Sequence, residues 1–356
     1  MPVYGILAIN PGSTSTKVAY FRDVQCLSSI TLHHKADQFK GINSVMGQYS
    51  IRKAAILEYI EQAGIKTSRI DAVVGRGGLL KPLKGGTYTV GIPMLEDLKS
   101  QKYGEHASNL GAVIAYEIAK GLDKPSYIVN PVVVDELEPL ARYSGLSLID
   151  RKSIFHALNH KAVAVRAAAE LGKRYEELNL LVAHLGGGIS VAAHKKGRVI
   201  DANNGLEEGA FSPERTGHLP VLQLMDLCLS GKYPKEEIKK KLVGQGGMAD
   251  YLGTSDCRVV EERIRKGDNK AREVLEAMAY QIAKEIGALS TVLEGRVDTI
   301  IITGGLARSP MLVDWIIRRV QFIATVRVFP GEDEMLAMAE GVYRVLTGEE
   351  EAYSYT

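Results

Sequence analysis

The chain opens with two short apolar segments, 3–9 and 18–21, that flank a polar turn from Asn10 to Lys17. The turn reads Asn-Pro-Gly-Ser-Thr-Ser-Thr-Lys, so it supplies hydroxyl groups, glycine-freed backbone amides and one ammonium. Such a turn can surround an anionic cluster of oxygen atoms. Its spacing is not that of a P-loop, and it lacks the helix that follows a dinucleotide fingerprint. The segment therefore predicts a phosphate-binding turn on a β-hairpin.

The length and composition narrow the class of protein. The 356 residues are enough for two domains of ordinary size. A net charge of +2 and 6% aromatic residues give no footprint for nucleic acid, so no nucleic-acid partner is expected. Three widely spaced cysteines without a C-x-x-C pair favour a reducing cytoplasm. The chain start has no basic leader and no apolar run approaches about 18 residues, so we expect a cytoplasmic protein without a membrane partner.

Two further glycine turns follow apolar segments. Gly186-Gly187-Gly188 separates the predicted strands 180–184 and 189–194, and Gly304-Gly305 follows the predicted strand 298–303. A hairpin with a close-approach turn thus opens each half of the chain, which predicts an internal duplication. Other predicted strands are 72–74 and 126–134, and apolar spacing predicts helices over 50–63, 103–119, 160–171, 269–293 and 334–346. Alternation of these elements predicts α/β layers, and the polar tail 349–356 is expected to fray.

The segments 9–17 and 181–190 resemble the two signatures of the acetokinase family, within the actin/Hsp70/sugar-kinase superfamily, and the resemblance extends over essentially the full chain. It implies two duplicated actin-like (ribonuclease H-like) α/β domains with the active-site cleft between the domains. The expected N-terminal domain is 1–151 plus 331–356, carrying the phosphate loop and carboxylate site. The expected nucleotide-binding C-terminal domain is 152–330.

The resemblance also implies an activity: reversible in-line transfer of a phosphoryl group from ATP, with Mg²⁺, to a short-chain carboxylate, which yields an acyl phosphate and ADP. Such proteins are usually homodimers or larger homo-oligomers. The short length, the Asn-Pro-Gly opening and the segment 330–335 are similar to the butyrate kinases of the family, so butyrate or isobutyrate is the expected substrate. Acetate or propionate remains the alternative, and from another class, a non-catalytic actin-like nucleotide switch.

Two positions bear on the acyl substrate. Arg76 lies among glycines after a predicted strand. It could be an ordinary solvent-exposed loop arginine, but its small glycine neighbours would let the guanidinium approach a carboxylate closely. It matches the family's carboxylate-binding arginine. Gly78 stands where acetate kinases carry a bulky apolar residue, so we expect room for extra methylenes there, each worth about 0.8 kcal/mol when buried. Phe155 is expected to line the acyl pocket.

Four further positions bear on phosphoryl transfer and the metal. Arg215 could be a surface turn residue, but it matches the family's second active-site arginine, whose charge would stabilise the transferring phosphoryl group. Asp135, read here as the end of a strand, could cap a helix or hold Mg²⁺. Glu334 is the second metal candidate, with Glu332 and Asp333 as alternatives. His156 is expected to donate to phosphoryl oxygens, although an isolated histidine is more often structural.

The expected catalytic set is Arg76, Arg215, His156, Asp135 and Lys17. The resemblance assigns ATP binding to residues of the three glycine turns and of an Asp-x-Arg tripeptide, namely Asn10, Ser13, Ser15, Lys17, His184, Gly186, Gly187, Gly188, Asp256, Arg258, Gly304, Gly305 and Arg308. For the first turn the bland reading is an ordinary hairpin turn, since glycine, asparagine and serine are common in turns.

Overall fold

A computed structural model describes residues 2–42 and 44–356. The strands, in chain order, are β1 (Gly5–Pro11), β2 (Ser15–Arg22), β3 (Gln25–His33), β4 (Ala72–Gly75), β5 (Thr87–Thr89), β6 (Ser126–Val129), β7 (Asn179–Leu185), β8 (Ile189–Lys195), β9 (Arg198–Ala202), β10 (Thr299–Gly304), β11 (Val326–Pro330) and β12 (Tyr353–Ser354). The helices are α1 (Tyr49–Gln62), α2 (Ile92–Lys99), α3 (Asn109–Gly121), α4 (Ala157–Glu170), α5 (Val221–Leu229), α6 (Lys235–Leu242), α7 (Met248–Leu252), α8 (Cys257–Arg265), α9 (Asn269–Val292), α10 (Pro310–Val320) and α11 (Glu334–Leu346).

The chain forms two compact units. The first comprises the residues up to Asp135 together with Asp333–Thr356, and the second is Glu136–Glu332. In the first unit a seven-stranded sheet has the order β12-β5-β6-β4-β1-β2-β3. β1 pairs antiparallel with β2 and parallel with β4, which places Asn10 opposite Lys17 at the hairpin end. The apolar residues of β1 are fully buried, and α1 and α3 contribute to the same core.

The second unit repeats this arrangement with a different sequence. Its five-stranded sheet has the order β11-β10-β7-β8-β9. β7 pairs antiparallel with β8 and parallel with β10, and β10 pairs parallel with β11. The neighbours β6-β4-β1-β2-β3 of the first sheet have the same order and the same directions. The α/β fold with two duplicated domains, predicted from the sequence, is confirmed.

The strand predicted over 126–134 is shorter than expected. β6 ends at Val129, and Pro131 follows Asn130, whose φ is +39°. Proline has no N–H to donate to a strand ladder, so pairing stops there. Asp135 therefore does not end a strand; it follows an isolated bridge between Leu83 and Val134, and its backbone N–H donates to Leu83. The prediction that Asp135 ends a strand was wrong.

The division between the units comes earlier than the predicted boundary near 151. Residues 136–151 are bound to the second sheet: the Glu136 carboxylate accepts from the Val199 backbone N–H at 2.7 Å and pairs with Lys161 at 2.9 Å. The Glu138 N–H donates to the carbonyl of Ile200, and Arg151 pairs with Asp201 at 3.0 Å. The return of the chain at Asp333 lies two residues from the predicted 331.

The polar tail is ordered, contrary to the expected fraying. β12 adds a parallel strand to β5, and the tyrosine that follows it, Tyr355, is only 6% exposed and donates its hydroxyl to Asp97. Within the described ranges, no helix is long and apolar enough to cross a membrane.

Candidate active-site residues in the two units

The first turn rests on a buried arginine from helix α1. Arg52 is 0% exposed, and its guanidinium donates to the backbone carbonyls of Ser13 at 2.9 Å and Ser15 at 2.8 Å. It also donates to the Thr16 hydroxyl at 2.9 Å, while the amide of Gln48 accepts from it. Burial lowers the pKa of Arg52. These charge-assisted hydrogen bonds thus hold the turn in one conformation from its buried side.

Arg52 was not among the residues predicted from the sequence. A signal was available: Arg52 shares the buried stripe of α1 with Ile56, Tyr59 and Ile60, at helical spacings of four, seven and eight. An arginine on the buried side of a helix requires acceptors. The carbonyls of the phosphate turn supply them.

Arg76 follows β4 and is nearly enclosed by the first unit. Its side chain is 7% exposed, and its Nε lies 3.3 Å from a carboxylate oxygen of Glu334. The other oxygen of Glu334 accepts from the Asn10 amide at 2.5 Å. The Nη1 of Arg76 is buried without a hydrogen-bond partner among the described residues. A buried charged donor without an acceptor is costly, so Arg76 is suited to an anion that would supply one.

A cavity of about 410 Å³ opens beside this arginine. Its lining combines the first turn, Arg76 and the start of the last helix, and consists of Asn10, Pro11, Gly12, Ser15, Lys17, Thr31, Arg76, His106, Ser108, Val132 and Glu334. Two cationic side chains, Lys17 and Arg76, border it. The turn residues predicted to bind phosphate and the arginine predicted to bind carboxylate therefore share one cavity, except for Ser13, which is exposed outside the lining.

Gly78 does not open this cavity. A Cβ on Gly78 would lie 2.5 Å from the side-chain oxygen of Asn109 and 2.6 Å from its Cα, at the first turn of α3. The missing side chain makes room for that helix rather than for an acyl chain. The prediction that Gly78 widens the acyl pocket was wrong, because a sequence does not show in which direction an absent side chain would have pointed.

Three consecutive acids face different partners. The Asp333 carboxylate caps α11 by accepting from the Leu336 N–H at 3.0 Å, and Glu334 pairs with Arg76. Glu332, in the second unit, contacts two histidines described below. Among the predicted metal ligands, Glu334 offers hard carboxylate oxygens at the cavity, which is the donor type that Mg²⁺ takes. The role of Asp135 as a ligand stays a prediction.

In the second unit, Arg215 lies against the middle glycine turn. A Cβ on Gly188 would be 2.0 Å from Nη1 of Arg215, so the guanidinium covers the backbone at that position. Nη1 also donates to the carbonyl of Gly205 at 2.8 Å. The Ser212 hydroxyl donates to the carbonyl of Gly187 at 2.6 Å and accepts from the Arg215 N–H. Burial lowers the pKa of this half-buried arginine. The predicted arginine and the predicted turn thus form one assembly.

His156 and His184 lie side by side, with ring centroids 4.4 Å apart. The Nε2 atoms of both rings face one oxygen of Glu332, at 3.3 Å and 3.4 Å. Asn159 fixes both rings, since its backbone N–H donates to Nδ1 of His156 and its side-chain oxygen accepts from Nδ1 of His184 at 2.9 Å. The structure therefore brings the two predicted histidines together with an acid of the 332–334 run.

Two further histidines, for which no role is predicted from the sequence, pack on the buried side of this pair. His160 stacks on His194 and shares a hydrogen bond with the Ser190 hydroxyl at 2.9 Å. Burial, and then the neighbouring histidines, lower the pKa of His160 well below its usual value, and burial does the same for His194. Phe155 packs edge-on against His160 and is 6% exposed. Its acyl-lining role stays a prediction.

In the third glycine turn, glycine is required at position 304 for steric reasons. Gly304 has a φ of +93°, and a Cβ there would lie 2.4 Å from the carbonyl of Leu185. Gly304 and Gly331 exchange two backbone hydrogen bonds, which close the turn onto the end of β11. Gly305 and Arg308 are exposed, and a Cβ on Gly331 would lie 2.5 Å from the Arg308 guanidinium.

The Asp-x-Arg tripeptide has a local function in the structure. The Asp256 carboxylate caps α8 by accepting from the Arg258 N–H at 2.9 Å, and it pairs with the Arg258 side chain at 2.7 Å. Those hydrogen bonds lower the pKa of Asp256 to about 2. A helix cap explains the aspartate without a ligand. The predicted adenosine contacts of both residues stay a prediction.

Residues 139–327 match the family model of the acetokinase family. The structure is similar to crystal structures of three kinases. It aligns with an acetate kinase from Porphyromonas gingivalis at a TM-score of 0.80 and 19% identity, covering 96% of this chain and 100% of that chain. It aligns with a propionate kinase from Francisella tularensis subsp. tularensis at a TM-score of 0.73 and 19% identity, covering 95% of this chain and 98% of that chain.

The third match is an acetate kinase from Entamoeba histolytica, at a TM-score of 0.74 and 16% identity, covering 98% of this chain and 99% of that chain. At such identities the structural matches establish the fold alone. The fold is the actin-like two-domain fold of these kinases.

Proposed function

The chain belongs to the acetokinase family, and on that premise we propose that it phosphorylates a short-chain carboxylate with ATP, reversibly, to give an acyl phosphate and ADP. The observation that carries the proposal is Arg76. Its buried Nη1 needs an acceptor, and the cavity beside it admits a small anion. A carboxylate accepts from an arginine fork in two parallel hydrogen bonds.

A carboxylate nucleophile needs no general base, because it is ionised at neutral pH. The chain then has to position the reactants and neutralise charge. Lys17, in the cavity of the first unit, and Arg215 and His156, in the second, would neutralise charge on the phosphoryl group. The backbone of Gly186–Gly188 and of Gly304–Gly305 would approach the nucleotide closely. Mg²⁺, with Glu334 as the best-placed carboxylate, would offset charge on the phosphates.

Within this activity we propose a preference for four-carbon acids, butyrate or isobutyrate. The support is the similarity of the opening Asn-Pro-Gly and of residues 330–335 to butyrate kinases, and the apolar side chains of Pro11 and Val132 in the cavity lining. Gly78 no longer supports it. The propionate and acetate kinases that share the fold favour the alternative, an acetate or propionate kinase. We propose a homodimer or larger homo-oligomer from the family alone.

The test is trapping of the acyl phosphate with hydroxylamine, using ATP and Mg²⁺ with acetate, propionate, butyrate, isobutyrate or valerate. We expect carboxylate-dependent hydroxamate and matching ADP release, with the highest kcat/KM for the four-carbon acids. A maximum at acetate would retain the chemistry and refute the chain-length preference. ATP hydrolysis that no acid stimulates would refute the kinase and favour the nucleotide switch.

A further inference from the structure

The histidine pair of the second unit and Glu332 converge on one point. Nε2 of His156 and Nε2 of His184 lie 3.3 Å and 3.4 Å from the same oxygen of Glu332, and the three ligand atoms all lie within 4.8 Å of one another. In a tetrahedral zinc site with bonds of about 2.0–2.1 Å, neighbouring ligand atoms are about 3.3 Å apart. The histidine–glutamate separations already have that value.

From this geometry we propose that His156, His184 and Glu332 bind a divalent transition-metal ion, with Zn²⁺ as the best fit. Two imidazole nitrogens and one carboxylate oxygen are a donor set for zinc or cobalt, whereas Mg²⁺ takes oxygen ligands. None of these three residues is Glu334, the carboxylate proposed above for Mg²⁺. Three protein ligands leave a fourth position for water or a phosphate oxygen.

The hydrogen bonds around the pair prepare one ring for a metal. The side-chain oxygen of Asn159 can only accept, so Nδ1 of His184 carries the ring proton. In the neutral ring the Nε2 of His184 then carries a lone pair that faces the Glu332 carboxylate oxygen. A cation placed between that nitrogen and that oxygen would stabilise the arrangement. A second partner that fixes the ring and its tautomer in this way is typical of metal-binding histidines.

His156 has to adjust. Its Nδ1 accepts from the Asn159 backbone N–H at 3.3 Å, so ligation through Nε2 moves the ring proton to Nδ1 and gives up that long hydrogen bond. Access is available, because the side chains of His156 and Glu332 are 22% and 43% exposed. The buried side of the pair is closed by His160, whose ring stacks on that of His184 with centroids 6.2 Å apart.

The site has a consequence that rests on the proposed function. If His156 donates a hydrogen bond to the transferring phosphoryl group, a metal on its Nε2 removes that donor. Zn²⁺ then inhibits the kinase although Mg²⁺ is present in excess. The binding itself does not depend on the proposed function, so the two can fail separately.

The test is titration of the metal-free full chain with Zn²⁺ alone, in competition with a chromophoric chelator. The exposed thiols of Cys26 and Cys228 are replaced by serine so that they do not bind zinc. We expect one Zn²⁺ per chain, weakened at least ~10-fold by Glu332→Gln and by His184→Gln. His33→Asn, which removes an exposed imidazole elsewhere, is the control and should not change the affinity.

Co²⁺ gives a second readout, because a site with two imidazoles and one carboxylate shows visible bands that hexaaqua Co²⁺ lacks. We expect those bands in the wild type and in His33→Asn, and their loss in Glu332→Gln. Zinc affinity that is equal in wild type and Glu332→Gln would overturn the proposal. If hydroxamate never forms but zinc binding is lost in Glu332→Gln, the proposed function fails and the metal site stands.

Discussion

The two hairpins of this chain share one arrangement of strands, and their turns are stabilised in two different ways. In the first, β1 and β2, the turn is rich in side chains and is held from below by Arg52, which does not reach the surface. In the second, β7 and β8, the turn is almost bare glycine, and Arg215 lies against it, half-buried. In the first turn a guanidinium donates to the turn carbonyls, whereas in the second the Ser212 hydroxyl donates to Gly187 and the guanidinium covers Gly188.

A second correspondence is a hydrogen bond near the start of the second strand of each hairpin. In each hairpin, a hydroxyl on the second strand shares a hydrogen bond of 2.9 Å with a buried histidine, Thr16 with His34 and Ser190 with His160. The duplication therefore preserves positions of support rather than residue types. The order of the strands therefore shows in detail the duplication that the two hairpins with glycine turns predict from the sequence.

The largest effect should come from covering the second turn. Gly188→Ala places a Cβ 2.0 Å from the Arg215 guanidinium, so the arginine must move. We expect kcat for acyl-phosphate formation to fall about 10²–10³-fold, the range for loss of a charge-stabilising donor. The control is Gly287→Ala in helix α9, outside both turns, whose Cβ would have no neighbouring atom within 4 Å. Equal losses in the two variants would show that Arg215 does not act through its place at Gly188.

The next effect tests the support of the first turn. Arg52→Met leaves the carbonyls of Ser13 and Ser15 without their buried donor, and we expect the free energy of unfolding in urea to fall by about 3 kcal/mol. Ser212→Ala, the corresponding support of the second turn, should cost about 1 kcal/mol. Arg174→Met, at an exposed arginine, is the control. If Arg52→Met is no less stable than the control, the first turn does not depend on the buried arginine.

The smallest effect is a pH dependence of the free energy of unfolding, to which His160 and His34 should contribute differently. Burial lowers the pKa of His160 well below its usual value of about 6.5, and it also lowers the pKa of His34. Below about pH 6.5 these imidazoles bind protons in the unfolded chain but not in the folded chain. The free energy of unfolding therefore has its full value above about pH 7 and falls as the pH drops below 6.5. Each such histidine contributes at most about 1.4 kcal/mol per pH unit in that window.

The measurement is urea unfolding from pH 5 to 8 of the wild type, His160→Gln and His34→Gln. We expect His160→Gln to flatten the acid limb more than His34→Gln, because His160 is fully buried whereas His34 is 8% exposed. An unchanged slope in His160→Gln would mean that His160 is protonated in the folded protein.

The sequence predicted those features that depend on short-range patterning. Both hairpins, the strand before Gly304 and helix α11, whose predicted range 334–346 is that of the structure, could be read from apolar runs and their glycine or proline ends. The association of Arg76 with the turn residues was implied by the family resemblance, and in the structure it arises because Arg76 follows β4, which pairs parallel with β1.

The rest depends on contacts between distant parts of the chain. Gly78 was misread because its neighbour is Asn109, 31 residues away. Arg52 was missed because its acceptors are the carbonyls of Ser13 and Ser15, and the composition of a turn says nothing about where its carbonyls point. The tail was expected to fray because it is acidic and polar, and the sequence does not show that Tyr355 would bind Asp97 in helix α2.

The central claim, that Arg76 binds the carboxylate substrate, is tested most directly by the hydroxamate assay on Arg76→Ala. We expect the KM for the carboxylate to rise at least ~30-fold, corresponding to about 2 kcal/mol of a buried charged contact, while the KM for ATP changes little. Arg174→Ala, at an exposed arginine, should leave both unchanged. Equal increases in the two KM values for Arg76→Ala would contradict the assignment.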